Sequence, residues 1–277
     1  MKERLIQKIV RGSQAVDGAG VKLTRVLSLG TVEEFDPFLM LDVFDSTSPA
    51  DYIRGFPWHP HRGIETITYL IEGEIDHEDS TGSKGKILSG GCQWMRAGSG
   101  IMHTEMPQIA PRMLGMQLWL NMPAAKKMIP PKYNDLTAEK IPAVKAEKSE
   151  VKVISGKFAE ITGPMQDMLI PVTMLDVVLE SGGKFELDAK TDDTLFLYVF
   201  RGAVSFPDGS TVSKTEAALT TEGDSLSVTA GMEGARIVVL KGEALHEPIF
   251  WGGPIVMDTE EGLRQAFADL RNDTFIK

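Results

Sequence analysis

Short segments rich in β-branched and aromatic residues recur along this 277-residue chain and limit the folds that it can adopt. Gly, Pro, Asp or Ser, which favour turns, stand close to each segment. The clearest segments are 65–75, 112–122, 194–206 and 235–244. No long helical pattern lies between them, so strands and helices alternating around a parallel sheet are not indicated. The spacing predicts an all-β fold, either a sandwich or a barrel.

A stretch of different composition divides these segments into two runs. Residues 123–150 are rich in Pro, Lys and Ala and contain few large apolar side chains. Such a stretch is typical of a crossing between domains. A second run of short β-like segments begins near Val151. We therefore expect two β-domains of ordinary size, one over residues 1–135 and one over residues 136–277.

One convincing helix is predicted, at the end of the second domain. Asp258 or Thr259 can cap its N-terminus, and Glu261 stands at the capping-box position relative to Asp258. Apolar residues then recur at spacings of three and four, namely Leu263, Ala266, Phe267 and Leu270. We expect this helix to contribute packing rather than chemistry.

Cysteine usage and charge exclude several classes of protein. Cys92 is the only cysteine, which rules out an internal disulfide framework and cysteine-rich metal sites. We expect it to be a buried or partly buried strand residue rather than a nucleophile. The net charge of −10 argues against direct nucleic-acid binding, which depends on Lys and Arg. The N-terminus lacks a signal-peptide core, and no run of about 18 apolar residues occurs. We expect a cytoplasmic protein without a membrane span.

The acidic excess belongs to one half of the chain. Residues 1–140 contain 16 Lys and Arg against 17 Asp and Glu, whereas residues 141–277 contain 13 against 22. Four of the five His lie in the first half. This asymmetry suggests chemistry in the first half and an acidic surface for a protein partner in the second.

A His-x-His pair and a His-x-Glu pair lie about 40 residues apart in the first half. On a strand, His59 and His61 share one face because side chains alternate with a period of two. The same rule places His103 and Glu105 on one face. Three imidazoles and one carboxylate can then converge on one ion. This set suits iron(II), manganese, nickel or copper(II) better than a structural zinc.

The segments that carry these residues resemble the two metal-site motifs of the pirin family, within the cupin superfamily. The motifs are HPHRGIETITYLIEGEIDHEDSTGSKG and MRAGSGIMHTEMP, and three further segments, 36–44, 116–123 and 242–267, resemble pirins as well. The resemblance therefore covers most of the chain. It implies two cupin barrels, each a double-stranded β-helix, with metal only in the N-terminal barrel.

By position, the resemblance implies that the metal ligands are His59, His61, His103 and Glu105. Glu105 is also the candidate catalytic base. The general cupin pattern takes its carboxylate from the first motif, where Glu65 has the required spacing, so Glu65 is the alternative ligand. We expect one divalent transition metal, with Fe(II) favoured and Cu, Ni, Mn or Zn as alternatives. The strand of the second half that corresponds to the first motif has no His, so no metal is expected there.

The resemblance implies two different functions. Some pirins have quercetin 2,3-dioxygenase activity, in which O2 opens the ring of a flavonol and carbon monoxide is lost. Pirins also act as metal- or redox-dependent regulators that bind protein partners, including transcription factors. Another cupin activity is a third interpretation, because a fold does not determine a substrate. We favour a monomeric, metal-dependent dioxygenase that acts on a flavonol-like aromatic substrate and O2.

Other residues near the motifs have roles that the sequence leaves open. Arg62 can orient either an anionic ligand or an internal carboxylate. Phe56, Trp58 and Trp119 are candidates for the walls of a cavity or for core packing. His77 is expected at a hairpin end, in contact with solvent.

Overall fold

Strands supply most of the regular structure in the computed structural model, which describes residues 2–277. The first twelve are β1 (Ile6–Arg11), β2 (Ser13–Asp17), β3 (Val21–Leu27), β4 (Phe38–Ser46), β5 (Phe56–His61), β6 (Ile64–Glu72), β7 (Glu74–Asp79), β8 (Lys84–Leu88), β9 (Cys92–Arg96), β10 (Ile101–Pro107), β11 (Met113–Asn121) and β12 (Lys132–Leu136). The remainder are β13 (Ala143–Ala146), β14 (Ser149–Ser155), β15 (Lys157–Phe158), β16 (Ile161–Thr162), β17 (Val172–Leu179), β18 (Lys184–Asp188), β19 (Thr194–Ser205), β20 (Thr211–Ser213), β21 (Glu216–Thr220), β22 (Ser225–Gly242), β23 (Phe250–Gly252) and β24 (Ile255–Met257). The α-helices in this part of the chain are α1 (Val32–Phe35) and α2 (Glu260–Arg271). The prediction of an all-β fold with a C-terminal helix is confirmed.

The chain divides into two units, and each unit contains one terminal segment of the chain. The first unit holds residues 13–138 together with residues 245–277, which we call the C-terminal segment. The second unit holds residues 2–12 and 139–244.

The domain boundaries expected from the sequence, 1–135 and 136–277, differ from these units at both ends of the chain. They put the N-terminal segment in the first domain and the C-terminal segment in the second. β1 pairs with β21 and so extends the sheet of the second unit. Helix α2, expected in the second domain, packs through its apolar stripe against Ile255, Met257 and Phe275 in the first unit. Pairing between segments that are distant in the sequence leaves no local pattern, which is the reason for the difference.

The first unit contains two large antiparallel sheets and the two-stranded antiparallel sheet of β23 and β24. The larger has seven strands in the order β12-β9-β6-β11-β4-β3-β2, and the smaller has four in the order β5-β10-β7-β8. β6 and β11 are buried along nearly their whole length because they lie in the middle of the larger sheet. Burial alternates along β10, so every second side chain faces the interior. Those interior positions include His103 and Glu105.

The second unit is built on a nine-stranded antiparallel sheet with the central order β1-β21-β19-β22-β17-β14-β13. A cluster of aliphatic and aromatic side chains fills its core, with Val153, Leu175 and Leu197 completely buried. β18, with the sequence KFELD, contributes Phe185 and Leu187 to this core and has no imidazole. Across residues 2–277, no helix is long and apolar enough to cross a membrane.

Helix α2 begins as the sequence predicts. Thr259 is its N-cap residue, and the side-chain oxygen of Thr259 accepts a hydrogen bond from the backbone N–H of Gly262. On the inner face of the helix, Ala266 is completely buried, and Leu263, Phe267 and Leu270 pack against the same apolar cluster. The helix therefore covers one side of the first unit with its apolar stripe.

Candidate metal centre

Two neighbouring strands bring three imidazoles together. β5 and β10 pair antiparallel, and His59 lies directly opposite His103 in their register. The ring nitrogens of His59, His61 and His103 that face this point all lie within 4.8 Å of one another. The ring centroids of the three side chains are 4.3 to 5.0 Å apart. The structure thus joins three of the four predicted ligands in one cluster.

Backbone carbonyls determine which ring nitrogens of His59 and His61 carry protons. Nδ1 of His59 lies 2.9 Å from the carbonyl oxygen of Pro57, and Nδ1 of His61 lies 3.1 Å from that of Pro254. A carbonyl oxygen only accepts, so each Nδ1 is the donor and each Nε2 of the neutral ring presents a lone pair. The two Nε2 atoms are 3.1 Å apart. Two lone pairs that face each other fit a cation bound between them.

Burial keeps the two inner imidazoles neutral. His61 and His103 are 1% and 0% exposed. Burial lowers the pKa of His61 to about 3 and lowers the pKa of His103 well below its ordinary value, and neighbouring imidazoles act in the same direction. Neither ring nitrogen of His103 has a hydrogen-bond partner within residues 2–277. A buried polar group without a partner is costly, and coordination to a metal would satisfy it.

Glu105 is buried on the same face of β10, but it is outside the three-histidine cluster. Its Oε1 and Oε2 accept hydrogen bonds from Nε2 of Gln117 at 3.0 and 2.8 Å. Oε1 also accepts a hydrogen bond from the hydroxyl of Thr68 at 3.1 Å. Glu105 as the fourth ligand therefore stays a prediction.

Gln117 is a site residue that the sequence analysis missed. Its Oε1 accepts a hydrogen bond from Nε1 of Trp119 at 3.2 Å, so its amide nitrogen points to Glu105. In the register of β11 and β6, Gln117 stands directly opposite Thr68. A polar residue in the middle of the otherwise apolar stretch MLGMQLWL was the available signal.

A cavity of about 750 Å³ opens beside His59 and His61. Aromatic side chains form much of its wall, namely Phe56, Trp58, Trp119 and Trp251. Trp251 was not expected, because it belongs to the C-terminal segment. A cavity of this size and lining is typical of sites for small molecules.

One wall of the cavity is charged. Arg25 donates from Nε and Nη2 to the carboxylate of Asp42 at 2.9 and 2.7 Å, and from Nη2 to Asp17 at 2.7 Å. Burial raises the pKa of the Asp42 carboxyl, and the ion pair with Arg25 opposes that effect. About half of the Asp17 side chain is exposed. Two carboxylates and one guanidinium leave this wall with one excess negative charge.

Arg62 and Glu65, whose roles the sequence left open, are both buried. Arg62 donates to Oδ2 of Asp269 and to the carbonyl oxygen of Phe275, both at 2.8 Å. Of the two roles considered for Arg62, the structure therefore shows the contact with an internal carboxylate. Glu65 lies on β6, opposite Arg96 of β9, and does not belong to the three-histidine cluster.

His77 is buried, contrary to the sequence-based expectation. It is 3% exposed and stacks on Tyr133, with ring centroids 4.6 Å apart. The expectation was wrong because β7 pairs with β10, which turns His77 into the interior opposite Glu105. Cys92 is buried as expected, and burial raises the pKa of its thiol. A thiol in this environment is a poor nucleophile.

Comparison with known proteins agrees with this architecture. A sequence profile of the pirin family, described as "Pirin", matches residues 20–120, and one described as "Pirin C-terminal cupin domain" matches residues 174–276. A pirin-like protein of Caulobacter vibrioides is 45% identical, over 99% of this chain and 100% of that protein. Human pirin is 37% identical, over 92% of this chain and 88% of that protein.

A solved structure extends the similarity to three dimensions. The crystal structure of quercetin 2,3-dioxygenase from Acinetobacter baumannii superposes with a TM-score of 0.90 at 31% sequence identity. The match covers 99% of this chain and 98% of that chain. The expected pair of cupin barrels is thereby confirmed. With two family profiles over most of its length and relatives that align from end to end, the chain belongs to the pirin family.

Proposed function

We propose that this protein is a metal-dependent dioxygenase that opens the ring of a quercetin-like flavonol with O2. The observation that carries the proposal is the pair of Nε2 atoms on His59 and His61, 3.1 Å apart, at the wall of an aromatic-lined cavity. The similarity to the Acinetobacter quercetin 2,3-dioxygenase supports the same reaction. Both atoms of O2 enter the ring-opened ester, and the carbon that carries the 3-hydroxyl leaves as carbon monoxide.

The donors fit a divalent transition metal held by His59, His61 and His103, with Glu105 as the proposed fourth ligand. When bound, such a metal supplies Lewis acidity and the redox chemistry that O2 requires. Fe(II) is the ion that we favour, and Cu, Ni, Mn or Zn are the alternatives. We further propose that the protein works as a monomer in the cytoplasm.

Glu105 is the proposed general base of the reaction. Its carboxylate receives the proton of the flavonol 3-hydroxyl, which makes the substrate electron-rich enough to react with O2. Gln117 and Thr68 donate hydrogen bonds to this carboxylate and hold it in one orientation. Trp119 in turn orients Gln117, so the base is positioned by a chain of three side chains.

The walls of the cavity suit a planar, polyhydroxylated aromatic molecule. Trp119 and Trp251 offer aromatic faces, with ring centroids 5.8 Å apart, and Trp58 lies half-exposed at the wall. On the charged wall, Asp17 retains capacity to accept hydrogen bonds from hydroxyl groups. The guanidinium of Arg25 is already paired with two carboxylates, so an acidic substrate would find no free positive charge on this wall.

The test is turnover of quercetin by the iron-loaded protein. We expect consumption of O2 and release of carbon monoxide by the wild-type chain and none by His103→Ala. His246→Asn serves as the matched control, because His246 has a positive φ that Asn tolerates and lies outside the three-histidine cluster. The proposal would be contradicted if the iron-loaded wild-type protein neither consumed O2 nor released carbon monoxide.

A protein-binding regulator is the second candidate function. It is supported by the acidic excess of residues 141–277, which contain 22 Asp and Glu against 13 Lys and Arg and would suit a partner with a basic face. Pull-downs with the iron(II) and iron(III) forms would test it. A partner retained by one form only, together with no quercetin turnover, would favour this function over the dioxygenase.

A further inference from the structure

The backbone of the C-terminal segment contacts the first metal-site motif, which carries His59 and His61. The N–H of Val256 donates to the carbonyl oxygen of Arg62 at 3.1 Å, directly after the His-x-His pair. The carbonyl oxygen of Pro254 lies 3.1 Å from Nδ1 of His61. This second contact sets the tautomer of His61, so a residue nearly two hundred positions along the chain determines which nitrogen faces the candidate ion.

A buried ion pair anchors the same contact. Arg62 and Asp269 have side chains that are only 2% and 6% exposed, and their charged atoms are 2.8 Å apart. The guanidinium also donates to the carbonyl oxygen of Phe275 and lies 4.2 Å above the centre of the Phe275 ring. The guanidinium of Arg62 is therefore paired with groups of the C-terminal segment, although its neighbour His61 belongs to the candidate metal centre.

Glycines in both motifs make room for the C-terminal segment. A Cβ atom at Gly63 would lie 1.9 Å from the carbonyl oxygen of Val256, and one at Gly100 would lie 2.6 Å from that of Phe275. Both glycines have positive φ, 76° and 141°. Gly63 follows His61 by two residues, and Gly100 precedes His103 by three. The two motifs are thus shaped to receive the same segment of chain.

Lys127 links the first metal-site motif to the C-terminal segment through hydrogen bonds to both. Its buried ammonium donates to the carbonyl oxygens of Gly63 and Val256 at 2.8 and 3.1 Å, and to Oδ1 of Asn121 at 2.7 Å. One side chain therefore joins the turn after the His-x-His pair to the C-terminal segment. All three ammonium protons are used in these contacts, which leaves Lys127 no role towards a ligand.

We propose that the C-terminal segment is a working part of the metal centre, with Arg62 and Asp269 as positioning residues that hold His61 in its metal-binding orientation. This inference rests on the proposed metal centre. It predicts a coupling in both directions, because two equilibria that affect each other must do so reciprocally. Docking of the segment strengthens metal binding, and metal binding strengthens docking of the segment.

The first experiment measures Co(II) affinity by competition with a chelator, together with the visible spectrum of bound Co(II). Asp269→Asn keeps the shape of the side chain but removes the charge that holds Arg62. We expect it to weaken Co(II) binding by about 10-fold or more, the usual effect of losing a group that orients a ligand. Asp273→Asn is the matched control, because Asp273 is exposed, and we expect it to bind as the wild type does.

A second experiment uses only the wild-type chain and so remains decisive if Asp269→Asn fails to fold. Saturating Co(II) should slow amide hydrogen exchange in peptides that cover residues 254–275, including the N–H of Val256. Peptides from β14 in the second unit serve as the internal control and should not change.

The outcomes separate this inference from the metal centre on which it rests. Equal Co(II) affinity and spectra in Asp269→Asn and Asp273→Asn would reduce the ion pair to a structural contact and overturn the inference alone. Unchanged exchange over residues 254–275 at saturating Co(II) would do the same. A wild-type chain that fails to bind Co(II) would overturn the metal centre, and this inference with it.

Discussion

Nε2 of His59 lies 3.1 Å from Nε2 of His61, and the Nδ1 atom of each ring faces a backbone carbonyl oxygen. Each carbonyl requires a donor, so the two Nε2 atoms of the neutral rings direct lone pairs at each other. Burial opposes protonation of His61, and a metal ion bound between the two neutral rings would accept both lone pairs. The carbonyls of Pro57 and Pro254 thus prepare the site before any ion arrives.

Replacing His103 tests the centre most directly. We expect His103→Ala to lower bound metal from about one ion per chain to nearly none. A site built from three imidazoles loses most of its affinity when one of them is removed. Elemental analysis would measure this. Metal should also raise the thermal unfolding midpoint of the wild type but not of the variant, because only the folded wild type binds it. Metal retained in full by the variant would exclude the three-histidine site.

The two candidate carboxylates can be separated by matched substitutions. Glu105→Gln should weaken metal binding by about 10-fold or more, whereas Glu65→Gln, equally buried, should leave the affinity unchanged. Chelator competition provides the measurement. The reverse result would assign the fourth ligand to Glu65, as in the general cupin pattern.

Gln117 should affect turnover without affecting metal content. Gln117→Leu removes the amide nitrogen that donates to both carboxylate oxygens of Glu105, and we expect kcat with quercetin to fall about 10- to 100-fold because the base loses most of its orientation. Gln14→Leu, at an exposed position, is the control. Steady-state O2 consumption and elemental analysis would be measured together. Normal turnover in Gln117→Leu would show that the Glu105 carboxylate needs no such support.

The charged wall should distinguish polyhydroxylated flavonols from a flavonol that carries only the 3-hydroxyl. Asp17→Asn is expected to weaken binding of quercetin by about 10-fold, the effect of one hydrogen bond to a charged group. Binding of 3-hydroxyflavone, which lacks the additional hydroxyls, should not change. Quenching of tryptophan fluorescence by the metal-free protein would report both affinities without turnover. An equal loss for both compounds would argue that Asp17 acts only on the shape of the cavity.

Acid should weaken the anchor of the C-terminal segment. The hydrogen bond from Arg62 is the main cause that holds the pKa of Asp269 below its ordinary value of about 3.9. A carboxyl whose pKa is lower in the folded chain than in the unfolded chain stabilises the fold at pH values above its unfolded-state pKa. This contribution is lost as the pH falls below about 4. In urea unfolding, the wild type should exceed Asp269→Asn in stability at pH 6, and the gap should narrow by pH 3. A constant gap would contradict this account.

The all-β fold and the candidate ligands could be predicted because both depend on local patterns. Alternation with a period of two places His103 and Glu105 on one face of β10, and the structure shows both side chains buried there. The cap at Thr259 is equally local, since it depends on residues within one helical turn. Residue types and their short spacings were sufficient for these features.

The remaining features depend on which distant segments meet. His77 becomes an interior residue through the pairing of β7 with β10, and Gln117 reaches Glu105 through the packing of two sheets. Arg62 finds Asp269 more than two hundred residues away. The sequence alone determined which donors are available and which strand faces carry them, because these follow from backbone geometry. Only the tertiary structure decided their partners, because a buried charge or imidazole is satisfied by contacts that no local pattern encodes.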